Sequence, residues 1–238
     1  MKKLPANMLN FKYKKIAFLV AFNDEVDLSL VKKWSKKNVS SMTLYHNKTA
    51  KKEYFLIITG AGKTNAAIAT TYLIHVAKVD AIINIGTAGK HTGNLYHNQI
   101  ALISKSTYGD VDATEFGYKY GQLPQGLNYY SINNSFNDQI KLHLLTYFKN
   151  NLKINCTVAT SDSFINQKNQ IHYHLTKSIH LVDMEANSIN QVCYLSKFKN
   201  IAIIKVVSDI VNETKNQWQE TIDITKKTIT DVIKSLII

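Results

Sequence analysis

The 238-residue chain contains no arginine, so all 29 of its basic residues are lysine. Arginine supplies the two-pronged hydrogen bonds with which many proteins grip phosphate groups and guanine. Its lysines are also spread along the chain instead of being clustered among aromatic residues. Despite a formal net charge of +12, this pattern argues against a nucleic-acid-binding protein.

The chain is also poor in cysteine, and it lacks long apolar runs. Cys156 and Cys193 lie within apolar patterns, which favours buried thiols in a reduced, cytoplasmic protein over a disulfide framework. No apolar run reaches the roughly 18 residues that a membrane span requires, so we predict no membrane partner. The sequence has no HExxH or CxxC spacing, so we predict no metal site and no cofactor.

Several apolar strand patterns end in acidic residues. The run IAFLVAF (16–22) leads to Glu25, and the run IAIIKVV (201–207) leads to Asp209. Glu185 lies between a short strand pattern and a helix with apolar residues on one face. Ligands of open α/β sheets bind outside the carboxyl ends of the strands, so we expect these acids to face one pocket. Converging acids suit acid-assisted bond cleavage.

Two further strand patterns end in small residues. AIINIG (81–86) leads into Thr87, Ala88 and Gly89, for which we predict a tight turn that lets a ligand approach the backbone. The other strand leads into GAGKT (60–64), which contains only the second half of a phosphate-binding loop. We therefore interpret GAGKT as a strand-to-helix turn.

No repeat, linker or low-complexity segment divides the chain, and its length suits one domain. We predict a basic N-terminal tail over residues 1–15 and a functional domain over residues 16–238. Residues 109–130 are rich in glycine and tyrosine and have no clear period, which is typical of a functional or interfacial loop.

Six motifs follow one another along the chain, and together they resemble the 5'-methylthioadenosine/S-adenosylhomocysteine nucleosidases of the nucleoside phosphorylase superfamily. They are AFNDEV (21–26), NIGTAG (84–89), DATEFGYKYGQLP (112–124), SDSFIN (161–166), VDMEA (182–186) and VVSD (206–209). The resemblance covers about residues 16–238. It implies a single-domain three-layer α/β sandwich, with a central mixed, mostly parallel sheet flanked by helices, that works as a homodimer.

The resemblance also implies a reaction. The substrates are 5'-methylthioadenosine and S-adenosylhomocysteine, with 5'-deoxyadenosine as a third candidate, and the N-glycosidic bond to adenine is hydrolysed. Asp209 is the implied general acid that protonates adenine N7, with support from Ser208, and Glu25 is the implied base on the attacking water. Met184 and Glu185 would hold the ribose.

The remaining candidates shape the pocket. Phe164 would stack on adenine and the backbone of Ile165 would read its edge, while Trp218 would add an apolar wall. Thr87 and Gly89 come from the predicted ligand-facing turn. Phe116 and Pro124 would reach the thio-substituent pocket of the neighbouring subunit.

Four positions depart from the family pattern: Phe22 replaces a usual methionine, Gly109 a frequent histidine, Asp183 a common glutamate and Lys205 a usual arginine. Lys205 is the water-positioning candidate, and lysine keeps the charge but loses the planar fork. We therefore expect activity at a reduced rate.

Two alternatives stay open. A phosphate-dependent nucleoside phosphorylase would have to replace its phosphate-binding arginines with Lys205 and Lys90. A catalytically inactive relative would bind adenosine compounds without cleaving them, but it would have no need for all three of Glu25, Glu185 and Asp209.

Overall fold

The computed structural model describes residues 12–213 and 217–237. The strands are β1 (Lys15–Val20), β2 (Ser35–Val39), β3 (Met42–Lys48), β4 (Glu53–Ile58), β5 (Ala81–Lys90), β6 (Ile100–Tyr108), β7 (Tyr130–Ser131), β8 (Leu152–Thr160), β9 (Leu181–Asp183) and β10 (Ile201–Ile210). The helices are α1 (Lys63–His75), α2 (Ser135–Phe148), α3 (Tyr173–Thr176), α4 (Ala186–Leu195) and α5 (Gln217–Leu236). No helix in these ranges is long and apolar enough to cross a bilayer.

The sheet is mixed and partly closed. Strands β4, β1, β5 and β10 run parallel side by side, and the antiparallel pair β2–β3 extends the β4 edge. Beyond β10 the order continues through β6, β8 and β9, and β9 then returns to pair with β5. The predicted α/β fold with a mixed sheet and helices is therefore confirmed. The expectation of a mostly parallel sandwich is wrong, because five strands close into a ring and antiparallel pairings are as common as parallel ones.

Strand β1 shows why the central strands read as continuous apolar runs. Ile16, Phe18 and Val20 pack into one buried cluster, and Ala17 and Leu19 pack into a second cluster on the opposite face. Helices α2 and α5 contribute to the first cluster, and α1 and α4 contribute to the second. A strand covered on both faces needs apolar residues at every position.

Strand β5 is longer than the sequence pattern predicts. Residues 87–89 continue the strand instead of forming a turn, because β10 pairs with β5 as far as Lys90. Since β1, β5 and β10 are parallel, their carboxyl ends lie at the same edge of the sheet. The acids that follow β1 and end β10 can therefore face one pocket, as expected from the sequence.

The predicted N-terminal tail is only partly covered, since residues 1–11 lie outside the described ranges. Tyr13 is buried, and its ring meets that of Phe136 edge-on at 4.9 Å between centroids. Cys156 and Cys193 are free and buried, as predicted, and burial raises their pKa values to about 11 and about 12.

Candidate active site

A cavity of about 230 Å³ opens at the carboxyl ends of β1, β5 and β10. Ten of the thirteen predicted site residues line it: Glu25, Thr87, Gly89, Phe164, Ile165, Met184, Glu185, Ser208, Asp209 and Trp218. The other three do not. Lys205 is buried behind the wall, and Phe116 and Pro124 lie outside on the surface.

Glu25 lies in a short 3-10 helix (Asn23–Glu25) that follows β1. One carboxylate oxygen, Oε2, accepts hydrogen bonds from the backbone N–H groups of Ala21 and Phe22 at 3.1 and 3.2 Å. The other, Oε1, accepts from the N–H and the hydroxyl of Thr87 at 2.7 and 2.6 Å. A Cβ at Gly86 would lie 3.0 Å from Oε1, so the strand needs glycine there to admit the carboxylate. Glu25 is thereby held rigidly at the cavity wall.

Asp209 lies at a register shift in β10. Val207 pairs with Ala88 and Asp209 pairs with Gly89, which leaves Ser208 as an extra residue. Such irregularities re-aim side chains near functional sites. The Ser208 hydroxyl donates to Asp209 Oδ1 at 2.6 Å, and a Cβ at Gly89 would lie 2.6 Å from Oδ2. Burial raises the pKa of Asp209, against the opposing effects of the Ser208 hydrogen bond and the charge of His97.

Glu185 joins β9 to α4 and is tied to a third segment. Its Oε1 accepts from the backbone N–H of Gly62 at 3.1 Å, and the next N–H, that of Lys63, donates to Asp162 at 2.8 Å. The predicted strand-to-helix turn thus binds carboxylates of the chain itself at the start of α1. Burial raises the pKa of Glu185 to about 7, and nearby Asp183 raises it further while the positive charge of Lys205 opposes the rise.

Lys205 and Asp183 form a buried ion pair. Lys205 Nζ lies 2.7 Å from Asp183 Oδ2 and 3.8 Å from Glu185 Oε2, and only 1% of the lysine side chain is exposed. Burial lowers the pKa of Lys205, but the two carboxylates outweigh that effect and leave it raised. The lysine is therefore a cation in the interior.

Asp183 also fixes local structure. Its Oδ1 accepts from the Thr160 hydroxyl at 2.6 Å, and its Oδ2 accepts from the backbone N–H of Ala186, the first residue of α4, at 2.9 Å. Asp183, which the sequence marks only as a departure from the family pattern, therefore has a role that the motifs do not reveal. Two features of the sequence could have indicated the ion pair: Asp183 follows a short apolar strand pattern, and Lys205 interrupts an otherwise apolar strand.

Aromatic and apolar side chains close the rest of the cavity. Phe164 keeps 54% of its surface exposed, whereas Ile165 beside it is buried. Phe22 meets Trp218 edge-on, with 6.2 Å between ring centroids. The cavity thus combines a partly open aromatic ring with buried acids, which suits a planar heterocycle joined to a hydroxylated group.

Comparison with known proteins gives consistent matches. The sequence model of the phosphorylase superfamily matches residues 15–238. The 5'-methylthioadenosine/S-adenosylhomocysteine nucleosidase of Buchnera aphidicola subsp. Acyrthosiphon pisum (strain Tuc7) is 31% identical over 233 residues, which are 94% of this chain and 97% of that protein. The nucleosidase of the same description from Listeria monocytogenes serovar 1/2a is 33% identical, over 83% of this chain and 87% of its own.

A solved structure agrees in fold. The S-adenosylhomocysteine nucleosidase from Streptococcus pyogenes, in complex with 5-methylthiotubericidin, superposes with a TM-score of 0.81 at 27% identity. The match covers 95% of this chain and 97% of that one.

The buried ion pair generates a stability prediction. Lys205→Met keeps the length of the side chain but leaves Asp183 without its cation, and breaking a buried pair typically costs about 3–5 kcal/mol. We expect the free energy of unfolding, measured by denaturant titration, to fall by that amount. Lys48→Met is the control, because its ammonium pairs with Glu53 at the surface with 69% of the lysine side chain exposed. An exposed pair contributes at most about 1 kcal/mol, so equal losses in the two variants would contradict the interpretation.

Proposed function

Because the chain belongs to the 5'-methylthioadenosine/S-adenosylhomocysteine nucleosidases of the phosphorylase superfamily, we propose that it hydrolyses the N-glycosidic bond of both compounds. The products are adenine and the 5-thio-substituted ribose, as in methionine salvage, and 5'-deoxyadenosine is a third candidate substrate. The observation that carries the proposal is the convergence of Glu25, Glu185 and Asp209 on one cavity. We assign the activity to residues 16–238 as one domain of a cytoplasmic protein.

Asp209 is the general acid in this proposal. Adenine is a poor leaving group as an anion, but protonation at N7 lets it depart as a neutral molecule. The raised pKa of Asp209 keeps a proton available closer to neutral pH than an exposed aspartate would. The Ser208 hydroxyl, 2.6 Å from Oδ1, fixes the orientation of the carboxyl group.

Glu25 is the base that takes a proton from the attacking water. Its four hydrogen bonds from the chain hold both oxygens in place, so the remaining lone pairs are directed without reorganisation. As adenine leaves, the ribose gains oxocarbenium-like positive charge. Glu25 and Glu185 lie where their negative charge stabilises it, and Glu185 also accepts from a ribose hydroxyl beside Met184.

Phe164 and Ile165 hold the adenine in this proposal. The half-exposed ring of Phe164 stacks on the base, and the backbone of Ile165 reads its edge. Thr87, Gly89 and Trp218 complete the wall of the cavity. These roles are those that the motif resemblance implies, and they are supported by the presence of the residues in one cavity; we propose no cofactor.

Lys205 acts on the water only indirectly. Its ammonium contacts Asp183 and Glu185 and does not line the cavity. The lysine therefore positions the water through the carboxylates that it holds, whereas a longer arginine fork would reach further. This arrangement supports the expected lower rate.

Hydrolysis fits the charges better than phosphorolysis. Among the described residues that line the cavity, none is lysine or arginine, and three carboxyl groups besides Asp209 border it: Glu25, Asp183 and Glu185. A phosphate dianion would have to enter this acidic site while the ammonium of Lys205 is already paired with Asp183. Water carries no such penalty.

The proposed unit is a homodimer. Phe116 is 79% exposed in the single chain, and Pro124 is also exposed. Their motif resembles the part of the family that completes a neighbouring pocket, and this exposure leaves both residues available for that contact. In the dimer, these two residues cover the thio-substituent of the substrate bound to the other subunit.

Adenine release tests the reaction. We expect the protein to release adenine from 5'-methylthioadenosine in buffer free of phosphate, with free thio-substituted ribose as the second product by chromatography. A strict requirement for phosphate, with a sugar phosphate as product, would identify a phosphorylase. Binding of the substrate without release in either buffer would identify an inactive relative.

Asp209→Asn tests the general acid. The amide cannot deliver a proton, and general acid catalysis typically contributes about 10²–10⁴-fold, so we expect kcat to fall by that factor with an unchanged melting temperature. Asp24→Asn is the matched control, because Asp24 is an exposed acid next to Glu25. An Asp209→Asn variant with wild-type turnover would end the assignment.

Phe116→Ala tests the shared pocket. Loss of a buried aromatic contact costs about 1.5–3 kcal/mol, so we expect KM for 5'-methylthioadenosine to rise about tenfold or more. Leu142→Ala, at a 64% exposed position on α2, should leave KM unchanged. A monomeric mass by light scattering, or an unchanged KM in Phe116→Ala, would refute the shared pocket.

A further inference from the structure

Trp218 lies in the first turn of α5 and makes a directed hydrogen bond. Its indole N–H donates to Thr87 Oγ1 at 3.1 Å, and the Thr87 hydroxyl lies 2.6 Å from Glu25 Oε1. The indole can only donate, and a hydroxyl has a single proton. The Thr87 hydroxyl donates this proton to Glu25 Oε1, which leaves its oxygen to accept from the indole. The two bonds therefore run in one direction, from Trp218 through Thr87 to Glu25.

Trp218 also touches the second segment that holds this carboxylate. Its ring meets the ring of Phe22 edge-on, and the backbone N–H of Phe22 donates to Glu25 Oε2 at 3.2 Å. The Trp218 side chain thus contacts two residues, Thr87 and Phe22, that donate hydrogen bonds to the two different oxygens of Glu25. If Trp218 served only as an apolar wall, its ring contact with Phe22 would be enough. The hydrogen bond from its indole N–H to the Thr87 hydroxyl would then have no purpose.

Helix α5 is itself anchored to the segments that carry Asp209 and Glu25. Thr221, three residues after Trp218, donates its hydroxyl to the backbone oxygen of Ser208 at 2.6 Å. Further along α5, the Thr230 hydroxyl accepts from the backbone N–H of Asp27, two residues beyond Glu25, at 2.9 Å. The indole is therefore carried by a helix with fixed contacts to the segments of both proton-transfer residues.

We propose that Trp218 is a positioning residue for Glu25, which it orients through the hydroxyl of Thr87. The inference rests on the proposed hydrolysis and goes beyond the apolar wall assigned to Trp218. By filling a lone pair of the Thr87 oxygen, the indole commits the hydroxyl proton to Glu25 and strengthens that bond. Loss of a net hydrogen bond of this kind corresponds to about a three- to tenfold effect. The effect falls on turnover, since the bond acts on the base.

The test is a double-mutant cycle with adenine release from 5'-methylthioadenosine as the readout. Trp218→Phe keeps an aromatic wall without the donor, and Thr87→Val keeps the shape of threonine without the hydroxyl. We expect Trp218→Phe to lower kcat about three- to tenfold with KM changed less than about twofold. In the Thr87→Val background, the same substitution should change kcat less than about twofold, because the relay is already broken.

Two results would overturn the inference: equal losses of kcat in the two backgrounds, or a Trp218→Phe variant in which only KM changes. Trp34→Phe is the matched control, because Trp34 stacks on Tyr54 and does not line the cavity. In the Trp34→Phe background, replacing the remaining tryptophan with its benzothiophene analogue removes the N–H while keeping the bicyclic shape, and should reproduce the loss. Absence of release from the wild-type protein would instead refute the proposed function, and the inference with it.

Discussion

The candidate site depends on one buried ammonium group. Lys205 lies within β10 with 1% of its side chain exposed, and its partner Asp183 lies at the end of β9. An unpaired charge at this depth would be too costly to keep, so the two strands and the start of α4 are fixed relative to one another. The closed part of the sheet makes the ion pair feasible, because β9 and β10 both pair with β5.

The ammonium group of Lys205 also affects Asp183 and Glu185 to different extents. Burial raises the pKa of Glu185, and the ammonium, 2.7 Å from Asp183 but 3.8 Å from Glu185, offsets that rise only in part. Glu25 instead receives hydrogen bonds from Ala21, Phe22 and Thr87, while Asp209 combines burial with a single serine donor. The carboxyl groups of one cavity thus differ in their hydrogen bonds and in their distance from the cation because their surroundings differ.

Much of this was predictable from local patterns. Apolar runs that end in acids identified β1 and β10, and the order of the motifs identified the residues of the cavity. The ring closure was not predictable, because the β9–β5 pairing joins Val182 to Gly89 and leaves no local signature. The Lys205–Asp183 pair and the direction of the Trp218 N–H also depend on contacts between distant segments. Phe116 and Pro124 remain predictions, since their proposed role requires a second subunit.

Lys205 pairs first with Asp183 and only partly offsets the effect of burial on Glu185, so the pKa of Glu185 stays raised at about 7. Carbon-13 NMR titration of the glutamate carboxyl groups, with the Glu185 signal assigned by its loss in Glu185→Gln, measures this directly. The account predicts that Glu185 titrates near pH 7, well above an exposed glutamate. A Glu185 carboxyl that is already mostly ionised at about pH 5, as an ordinary glutamate is, would contradict this interpretation.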